Sequence, residues 1–436
     1  MGKKVALHNL GCKVNAYELE AVEQLLEARG YEIVPFEPGA DIYIINTCTV
    51  TNIADRKSRQ MLHRAKKMNP QALVAAVGCY AQARGGELER DPAIDLVIGN
   101  NRKKEIPDLL EACLRERRKH REVPDIGRER DYEPLRIAGT KEHTRAFLKV
   151  QDGCNQFCSY CIIPYTRGRV RSRDPQEVLR EVQRLSVSGC REIVLSGIHL
   201  SSYGADFENG TGLLELIRLL HPVEGIARIR LGSLEPGIIT ERFAEQLSRL
   251  PKVCPHFHLS LQSGCDRTLR RMNRRYTSGE YLEKCRILRK YFKDPALTTD
   301  IITGFPGETE EDFRRSREFV EKVSFFETHV FPYSRREGTK AAKMEEQIPE
   351  AVKKERSHVL LELNRRQKEK YLKAALGRET EVLLEEREEF EGRPAWSGYT
   401  REYRKVLVLS EKDLGNTLLT VCPEKVCRGE FLLCTR

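Results

Sequence analysis

Three cysteines in the middle of the chain limit what this region can fold into more than any other sequence feature. They are Cys154, Cys158 and Cys161, with the spacing C-x3-C-x2-C, directly after a strand predicted for Ala146–Val150. Three thiolates this close together can each bind a different iron of a four-iron cluster, which leaves the fourth iron free to bind a substrate. A zinc site would normally have a fourth Cys or His nearby, and the next one along the chain is Cys190. The spacing therefore predicts an iron–sulfur cluster with one open iron.

Strands and helices alternate along most of the 436 residues, which is typical of α/β domains with parallel sheets. Residues 1–114 predict a doubly wound parallel domain, and residues 115–139 are interpreted as a charged linker. Residues 140–371 contain six strand–helix units and predict a partial (β/α)6 barrel, although an open sheet fits the pattern nearly as well. Residues 372–436 predict a small antiparallel β-barrel. The six central strands are predicted at Ala146–Val150, Glu192–Ser196, Ala227–Leu231, His256–Leu261, Leu297–Thr303 and Thr328–Pro332.

The composition predicts a soluble, cytoplasmic protein. Hydrophobic residues make up 40% and charged residues 32% of the chain, a balance that excludes the disordered and membrane-spanning classes. No apolar run approaches the roughly 20 residues that span a bilayer, and no secretory signal is expected at the start. The 75 basic and 65 acidic residues give a net charge of +10, which allows a polyanionic partner where the charge is clustered.

A second set of three cysteines is predicted to meet at one edge of the first domain. Cys12, Cys48 and Cys79 each stand at or just past the C-terminal end of a predicted strand. In a parallel sheet these ends lie side by side, and ligands bind there. The three thiols are candidates for a second cluster with an open iron. Position alone leaves open the alternative of three buried core thiols.

Together these motifs resemble those of a known enzyme family. The C-x3-C-x2-C loop is similar to the hallmark of the radical S-adenosylmethionine superfamily. With the second cysteine set and a small C-terminal β-domain, the chain resembles the methylthiotransferases over essentially its whole length. Within that family, Leu10–Asn15 and Asp152–Arg173 are most similar to the enzymes acting on threonylcarbamoyladenosine in tRNA. The branch acting on isopentenyladenosine usually has Gln-Met where this chain has Lys13-Val14.

The resemblance implies two [4Fe-4S] clusters and two molecules of S-adenosylmethionine per turnover. The cluster of the C-x3-C-x2-C loop would bind S-adenosylmethionine and cleave it to a 5′-deoxyadenosyl radical, and the auxiliary cluster would supply sulfur. The expected product carries a methylthio group at C2 of threonylcarbamoyladenosine 37, just 3′ of the tRNA anticodon. The expected partners are tRNA, an external electron donor and a sulfur source. The last domain, about Leu372–Arg436, is implied to be the RNA-binding TRAM barrel, and a monomer is expected.

Two alternatives stay open from the sequence. The same chemistry could act on isopentenyladenosine in tRNA or on an aspartate of a ribosomal protein. A non-catalytic iron–sulfur protein could instead bind RNA through the terminal barrel and basic residues alone. The open iron argues against this second alternative, because a merely structural cluster has little use for a missing ligand.

Further residues are predicted to contact the cofactor or RNA. Polar or small residues at the ends of central strands are the cofactor candidates, namely Ser196, Gly197, Gln262, Ser263, Asp300 and Gly304. Arginines at every second position would share one face of an extended segment and suit phosphate contacts; they are Arg167, Arg169, Arg171 and Arg173. In the terminal barrel, Arg401 and Arg404 alternate with tyrosines, as on many RNA-binding surfaces. The plain alternatives are a solvated edge for the first group and core packing for the second.

Overall fold

The computed structural model describes residues 2–116, 118–139 and 144–435, and its first part is a parallel sheet. The strands are β1 (Lys4–Asn9), β2 (Glu32–Val34), β3 (Ile42–Thr47), β4 (Leu73–Gly78), β5 (Leu96–Ile98) and β6 (His120–Glu122). The helices are α1 (Lys13–Ala28), α2 (Asn52–Met68), α3 (Cys79–Arg90) and α4 (Ile106–Glu116), with a 3-10 turn at Lys103–Glu105. Every neighbouring pair is parallel, and the order in the sheet is β2-β1-β3-β4-β5-β6.

Both faces of this sheet are covered by helices, so the predicted doubly wound domain is confirmed. Along β3, Ile42 and Ile44 pack with α1 and α4, whereas Tyr43 and Ile45 pack with α2 and α3. A strand buried on both faces has to be apolar throughout, which is why β3 shows no polar alternation. The strand order reverses between β1 and β3, and open parallel sheets hold their ligands at such a point.

The segment predicted as a charged linker belongs largely to the packed fold. His120–Glu122 pairs in parallel with β5 and completes the sheet. Further along, Leu135 and Ile137 are buried in the largest core cluster, and Glu133 is buried too. A few apolar side chains are enough to anchor a charged segment, so the expectation of a solvated linker is wrong for these residues.

The central part continues the alternation of strands and helices. Its strands are β7 (Arg145–Asp152), β8 (Arg171–Ser172), β9 (Glu192–Gly197), β10 (Arg228–Leu231), β11 (His256–His258), β12 (Ala296–Thr303) and β13 (Glu327–Pro332). Its helices are α5 (Ile163–Arg167), α6 (Pro175–Val187), α7 (Leu213–Leu220), α8 (Glu241–Ser248), α9 (Asp266–Arg271), α10 (Ser278–Tyr291), α11 (Glu310–Val323) and α12 (Glu350–Lys373). Short 3-10 turns of the central part lie at Leu200–Ser202, Pro236–Ile238 and Ala341–Lys343.

Among the described residues, no helix combines the length and apolar character that crossing a bilayer requires.

All six predicted central strands are present and follow one another in chain order. They lie in two sheets, β8-β7-β9-β10 and β11-β12-β13, which are linked by the isolated parallel bridges Ile229–Val253 and Leu234–Leu259. Within the six-strand series every paired neighbour is parallel. One set of alternating side chains packs against the helices, and the other set, which includes Arg230 and His258, points to the opposite side.

The terminal part is a small antiparallel β-domain, as the sequence predicts. Its strands are β14 (Thr380–Phe390), β15 (Arg393–Thr400), β16 (Lys405–Leu409), β17 (Thr417–Val421), β18 (Lys425–Cys427) and β19 (Phe431–Cys434). Their order is β17-β14-β15-β16-β19-β18, and the pair β16–β19 is parallel. The core of this domain includes Val382, Leu384, Trp396, Val406 and Val408.

The terminal domain is fixed to the amino ends of the central strands, opposite the end where the cysteines lie. Arg228 donates to the Tyr399 carbonyl at 2.8 Å, and Arg230 donates to the Arg401 carbonyl at 2.9 Å. The Arg230 guanidinium also lies 4.6 Å from the ring centre of Tyr403. These contacts use backbone carbonyls and aromatic faces, so they set the orientation of the domain rather than leaving it on a flexible tether.

The pairing of Glu385 in the terminal domain with Arg145 in the central part makes the folding stability depend on pH. Glu385 lies at a bulge in β14 and pairs with Arg145 at 3.0 Å, and burial raises its pKa to about 7 although Arg145 lowers it. Because the folded-state pKa exceeds the unfolded value, folding stability falls as pH rises from the unfolded value and the loss is complete above about pH 7. We expect Glu385→Gln to unfold at the same temperature as the parent near pH 4, and to be more stable by about 3 kcal/mol at pH 8. Thermal unfolding of the metal-free protein at both pH values, with the exposed neighbour Glu386→Gln as control, tests this; an equal shift at both pH values would contradict it.

Candidate functional site

Cys12, Cys48 and Cys79 follow three adjacent strands and meet at one edge of the first sheet. Asn9 pairs with Asn46 across β1 and β3, so Cys12 and Cys48 come from strand ends at the same level. Thr47 pairs with Gly78 across β3 and β4, and the next residue on each strand is Cys48 or Cys79. Burial raises the pKa of Cys48 to about 11, with a smaller contribution from the nearby Cys79 and Cys12 thiols. The structure thus brings this cysteine set together where the sequence predicts.

The loops that carry these cysteines are held by polar side chains from the strand ends. The Asn15 amide donates to the Leu10 carbonyl at 3.0 Å and to the Thr47 carbonyl at 3.2 Å, which ties the Cys12 loop to the end of β3. Gly78 has φ +92°, and a Cβ there would lie 2.4 Å from the Asn46 side chain. The turn into Cys79 therefore requires glycine.

Cys154, Cys158 and Cys161 lie in the loop after β7, as the sequence predicts. The loop is fixed by backbone bonds, from Cys154 N–H to the Gly168 carbonyl and from Cys161 N–H to the Cys158 carbonyl, both at 3.0 Å. The hydroxyl of Ser159 donates to the Arg271 carbonyl at 2.8 Å. Burial raises the pKa of Cys154 to about 11 and that of Cys161 to about 12, so both are protonated at neutral pH unless a bound cation offsets the burial.

A buried arginine contacts one sulfur of this loop. Nη1 of Arg274 donates to Cys158 Sγ at 3.3 Å, while Nη2 donates to both carboxylate oxygens of Glu235 at 2.7 and 2.8 Å. The Ser260 carbonyl accepts from the same nitrogen at 3.2 Å. The side chain of Arg274 is 6% exposed, so the guanidinium is held in one orientation toward the sulfur.

Arg167 makes the matching contact to a sulfur of the other cysteine set, Cys79. It ends α5, six positions after Cys161 in the chain, and its Nε donates to Cys79 Sγ at 3.2 Å. Nη2 donates to Asn15 Oδ1 at 2.6 Å and to Glu18 Oε2 at 3.0 Å. Arg167 is fully buried, so this one side chain from the central part contacts the first domain directly at the cysteine edge.

A buried charge network surrounds Arg167. Glu18 on α1 also pairs with Lys149 on β7 at 2.6 Å and with Lys103 at 3.0 Å. Burial alone would raise the pKa of Glu18, but Arg167, Lys103 and Lys149 hold it well below its usual range. Asp152, directly before the cysteine loop, pairs with Lys149 at 2.6 Å. The network thus fixes the first domain against the strand that carries the C-x3-C-x2-C loop.

A second clamp lies beside Cys48. Arg336 donates to Asp55 at 2.8 Å, to Asn52 at 2.7 Å and to the Thr49 hydroxyl at 2.7 Å. These three residues follow Cys48 in the loop that leads into α2. The central part therefore contacts the first domain at two places near the cysteine edge, through Arg167 and through Arg336.

Most of the predicted RNA-binding arginines are structural. Arg167, Arg171 and Arg173 are buried, the last with Glu181 and, at 3.1 Å, with the Tyr17 hydroxyl. Arg171 lies 3.6 Å from Asp152. The prediction of one cationic face is wrong here, because the segment turns back from α5 instead of running extended and buried acids pair with its arginines.

The remaining predicted RNA-binding arginines are Arg169 and the two of the terminal domain, Arg401 and Arg404. Arg169 is exposed, with its guanidinium 4.9 Å from the ring centre of Phe157. Arg401 donates to the Val253 carbonyl at 2.9 Å, and Arg404 is buried with its guanidinium 4.3 Å from the Tyr371 ring centre. Arg404 is buried, so its prediction as an RNA contact is wrong, whereas Arg401 is partly exposed and stays a prediction.

The cofactor candidates divide into two groups. Ser196 and Gly197 end β9, Gln262 follows β11, and Asp300 on β12 lies 3.3 Å from His258. These residues lie on the strands whose carboxyl ends approach the cysteine loop and stay candidates.

Ser263 and Gly304 are instead used inside the fold, so the structure does not support their prediction as cofactor contacts. The Ser263 hydroxyl accepts from the Cys265 N–H at 3.2 Å. Gly304 is buried, donates its N–H to Glu308 at 2.8 Å, and has no room for a Cβ because Lys353 lies 2.4 Å from that position.

The donor sets fit a group larger than a single metal ion. Among the described residues, the three-ligand set whose donor atoms all lie within 4.8 Å of one another is His258, Asp300 and His329, and neither cysteine set is that close. Three sulfurs on one zinc would be about 4 Å apart, given a Zn–S distance of about 2.3 Å. An iron–sulfur cluster, which spreads its thiolate ligands over several irons, matches the wider spacing better.

Arg274 and Glu18 were not found by the sequence analysis, and Arg167 was predicted there as an RNA contact instead of a donor to a cysteine. Arg274 is one of several arginines in a basic run after α9, and nothing in the run distinguishes it. Glu18 lies on the buried side of an amphipathic helix, where an acidic residue is unusual. That buried acid is the signal that would have indicated a paired cation.

Comparison with known proteins gives consistent matches to both cysteine regions. The chain matches the Radical SAM superfamily at residues 148–320 and the uncharacterized protein family UPF0004 at residues 4–99. It is 42% identical to the threonylcarbamoyladenosine tRNA methylthiotransferase MtaB of Bacillus subtilis, over 96% of this chain and 93% of that protein. It is 36% identical to a tRNA-2-methylthio-N(6)-dimethylallyladenosine synthase of Moorella thermoacetica, over 94% and 93% of the two chains.

Among solved structures, the radical S-adenosylmethionine methyltransferase TsrM from Kitasatospora setae, with cobalamin and a [4Fe-4S] cluster bound, has a TM-score of 0.56. The match covers 76% of this chain and 75% of that one at 16% identity. At this identity the likeness shows a shared fold.

Proposed function

Since this chain belongs to the tRNA methylthiotransferases of the radical S-adenosylmethionine superfamily, we propose that it adds a methylthio group to C2 of threonylcarbamoyladenosine 37 in tRNA. The relatives of the threonylcarbamoyladenosine branch are 37% to 42% identical to this chain, and those of the dimethylallyladenosine branch are 34% to 37% identical, which favours the first substrate. The observation that carries the proposal is that two sets of three cysteines follow strand ends in two domains, and that the buried charge network around Arg167 fixes these domains against each other. Sulfur transfer to an unreactive carbon needs a sulfur donor and a radical generator held close together.

The two sets have distinct proposed roles. When bound, a [4Fe-4S] cluster on Cys154, Cys158 and Cys161 supplies the electron that cleaves S-adenosylmethionine, and a second cluster on Cys12, Cys48 and Cys79 supplies sulfur for the methylthio group. Each set has one cysteine whose sulfur accepts a hydrogen bond from a buried guanidinium. Such charge-assisted donors stabilise negative charge on a thiolate and fix the direction of the ligand.

The surrounding residues position the two sets. The Glu18 network and the Arg336 clamp hold the two domains in one arrangement, so that the distance between the sets does not depend on a mobile linker. Cys79 and Cys154 are buried, whereas Cys12 is exposed and offers the side from which a substrate would approach. We assign Ser196, Gly197, Gln262 and Asp300 to S-adenosylmethionine binding.

The architecture is interpreted accordingly. The six parallel strands in chain order correspond to the partial barrel of the superfamily, and the terminal β-domain corresponds to a TRAM domain. The proposed domains are residues 1–114, 140–371 and 372–436, with the intervening segment packed as described. We propose a cytoplasmic monomer that takes electrons and replacement sulfur from external partners.

Mass spectrometry of nucleosides tests the function directly. Anaerobically reconstituted protein is incubated with S-adenosylmethionine, a reductant and tRNA that lacks the methylthio group. We expect threonylcarbamoyladenosine to convert to a species one methylthio group heavier, with 5′-deoxyadenosine and S-adenosylhomocysteine as co-products. Parallel reactions with isopentenyladenosine tRNA serve as the control for substrate. Conversion of the isopentenyladenosine tRNA alone would contradict the proposed substrate. Absence of S-adenosylmethionine cleavage by fully iron-loaded protein would contradict the proposed reaction.

A further inference from the structure

Helix α2 presents a cationic surface that the ion pairs of the protein do not use. Arg56, Lys57, Arg64 and Lys67 are exposed, and in the described part of the chain none of them has an ion-pair or hydrogen-bond partner. The acid of this helix, Asp55, is buried and paired with Arg336. The opposite side of the helix packs into the domain core through Leu62 and Ala65. The free cations therefore face solvent with no acidic residue of their own helix beside them.

Other charged helices of the same protein behave differently. On α11, Arg314 pairs with Glu311 at 2.8 Å and with Glu318 at 2.6 Å. On α12, Lys373 pairs with Glu369 at 2.7 Å. These helices neutralise their surface cations at i, i+3 or i, i+4 spacing, which is the usual arrangement. The exposed side of α2 departs from this pattern.

The four cations form a continuous stripe. At 3.6 residues per turn they lie within about 100° of the helix surface, and Arg56 to Lys67 spans about 16 Å along the axis. Lys67 is in the last turn, where the helix dipole favours a cation, but Arg56 and Lys57 are near the amino end, where it does not. Helix stability alone does not explain a cation at that end.

The stripe leads away from the cysteine edge. Helix α2 begins at Asn52, four positions after Cys48, and Arg336 holds its first turn against the central part. Val50 and Ile53, at the same end, are 51% and 56% exposed. An apolar pair beside the site, continued by a cationic stripe, matches the chemistry of a nucleic acid strand whose unpaired bases reach the site and whose phosphates lie outside.

From these observations we propose that the exposed side of α2 binds the phosphate backbone of the substrate RNA and guides it to the cysteine edge. This inference rests on the proposed function for its choice of tRNA. It also replaces the predicted arginine row after the cysteine loop, three of whose four members are buried.

The test compares a stripe variant with a charge-matched control. The stripe variant carries Arg56→Gln, Arg64→Gln and Lys67→Gln, and the control carries Arg314→Gln, Arg365→Gln and Lys373→Gln, which remove three paired cations. Fluorescence anisotropy of a labelled anticodon stem-loop is measured over a series of salt concentrations. We expect the stripe variant to lose at least about tenfold in affinity and its log–log salt slope to fall by about 2 to 3. The control should bind like the parent.

The kinetic readout separates binding from chemistry. We expect the stripe variant to raise KM for tRNA with little change in kcat, and to keep the iron content of the parent. Equal binding by the stripe variant and the parent would overturn the inference, as would an equal loss in the control. Polyglutamate binding that is lost in the stripe variant, with tRNA binding unchanged, would assign the surface to an acidic protein instead. Failure of the parent protein to bind tRNA would overturn the proposed function. This outcome is distinguishable from failure of the inference, because it is seen without any substitution.

Discussion

Cys12→Ala is expected to abolish methylthiolation while S-adenosylmethionine is still cleaved. Cys12 is exposed and its thiol makes only a 3.8 Å contact to Asn15 Oδ1 on α1, so its loss costs little in folding and removes one of the three proposed ligands at the first cysteine edge. The second set, after β7, is untouched by this change. We expect loss of the methylthio product by roughly three orders of magnitude or more, because removing a sulfur donor removes the reaction path rather than weakening one interaction. Iron content should fall to about half that of the parent.

The reciprocal variant is Cys158→Ala, which should lose 5′-deoxyadenosine formation and product together. Cys422→Ala, an exposed cysteine of the terminal domain, is the matched control and should resemble the parent in both assays. Product analysis by mass spectrometry and iron determination on the same samples give the readouts. If Cys12→Ala retained its full iron content and product, the assignment of a cluster to the first set would be wrong.

The fold and the cysteine sites were predictable because their signals are local. Strand periodicity placed all six central strands, and the rule that parallel strands share one ligand-binding edge brought Cys12, Cys48 and Cys79 together. Each cysteine needs only its own strand end for this inference. The prediction did not require knowing which distant side chains contact one another.

The arginine row failed because its geometry depends on distant residues. Alternation places side chains on one face only where the backbone is extended, and Arg167 instead ends a five-residue helix. Its partner Glu18 is 149 positions away in the chain. Burial of a guanidinium is decided by acids that local spacing does not reveal.

The predicted linker failed for a related reason. Its charge run resembles a solvated connection, but His120–Glu122 adds to a sheet whose edge strand lies earlier in the chain. Leu135 and Ile137 then bury in a core built mostly from later residues. Composition reports the average polarity of a segment, whereas two buried side chains are enough to fix its path.

Arg167→Met is expected to destabilise the contact between the first domain and the central part by about 3 kcal/mol. The change leaves Glu18 and Asp152 buried with one cation fewer and removes the donor to Cys79. Breaking a buried ion pair by removing one partner costs more than the pair itself contributes, because the remaining charge stays desolvated. Chemical denaturation of the metal-free protein measures the loss, and Arg167→Lys, which keeps the charge but not the forked geometry, should lose less.

A double-mutant cycle with Glu18→Gln distinguishes pairing from general disruption. If Arg167 acts through Glu18, neutralising the acid recovers part of the stability lost in Arg167→Met, and the coupling energy should be about 1–3 kcal/mol. Additive losses would mean that Arg167 stabilises this contact by packing alone. Iron retention adds an independent readout, since the Arg167 guanidinium contacts Cys79 but no cysteine of the second set is bonded to it. We expect the double variant to regain stability yet still bind iron poorly at the first set, because restoring charge balance does not restore the hydrogen bond to Cys79.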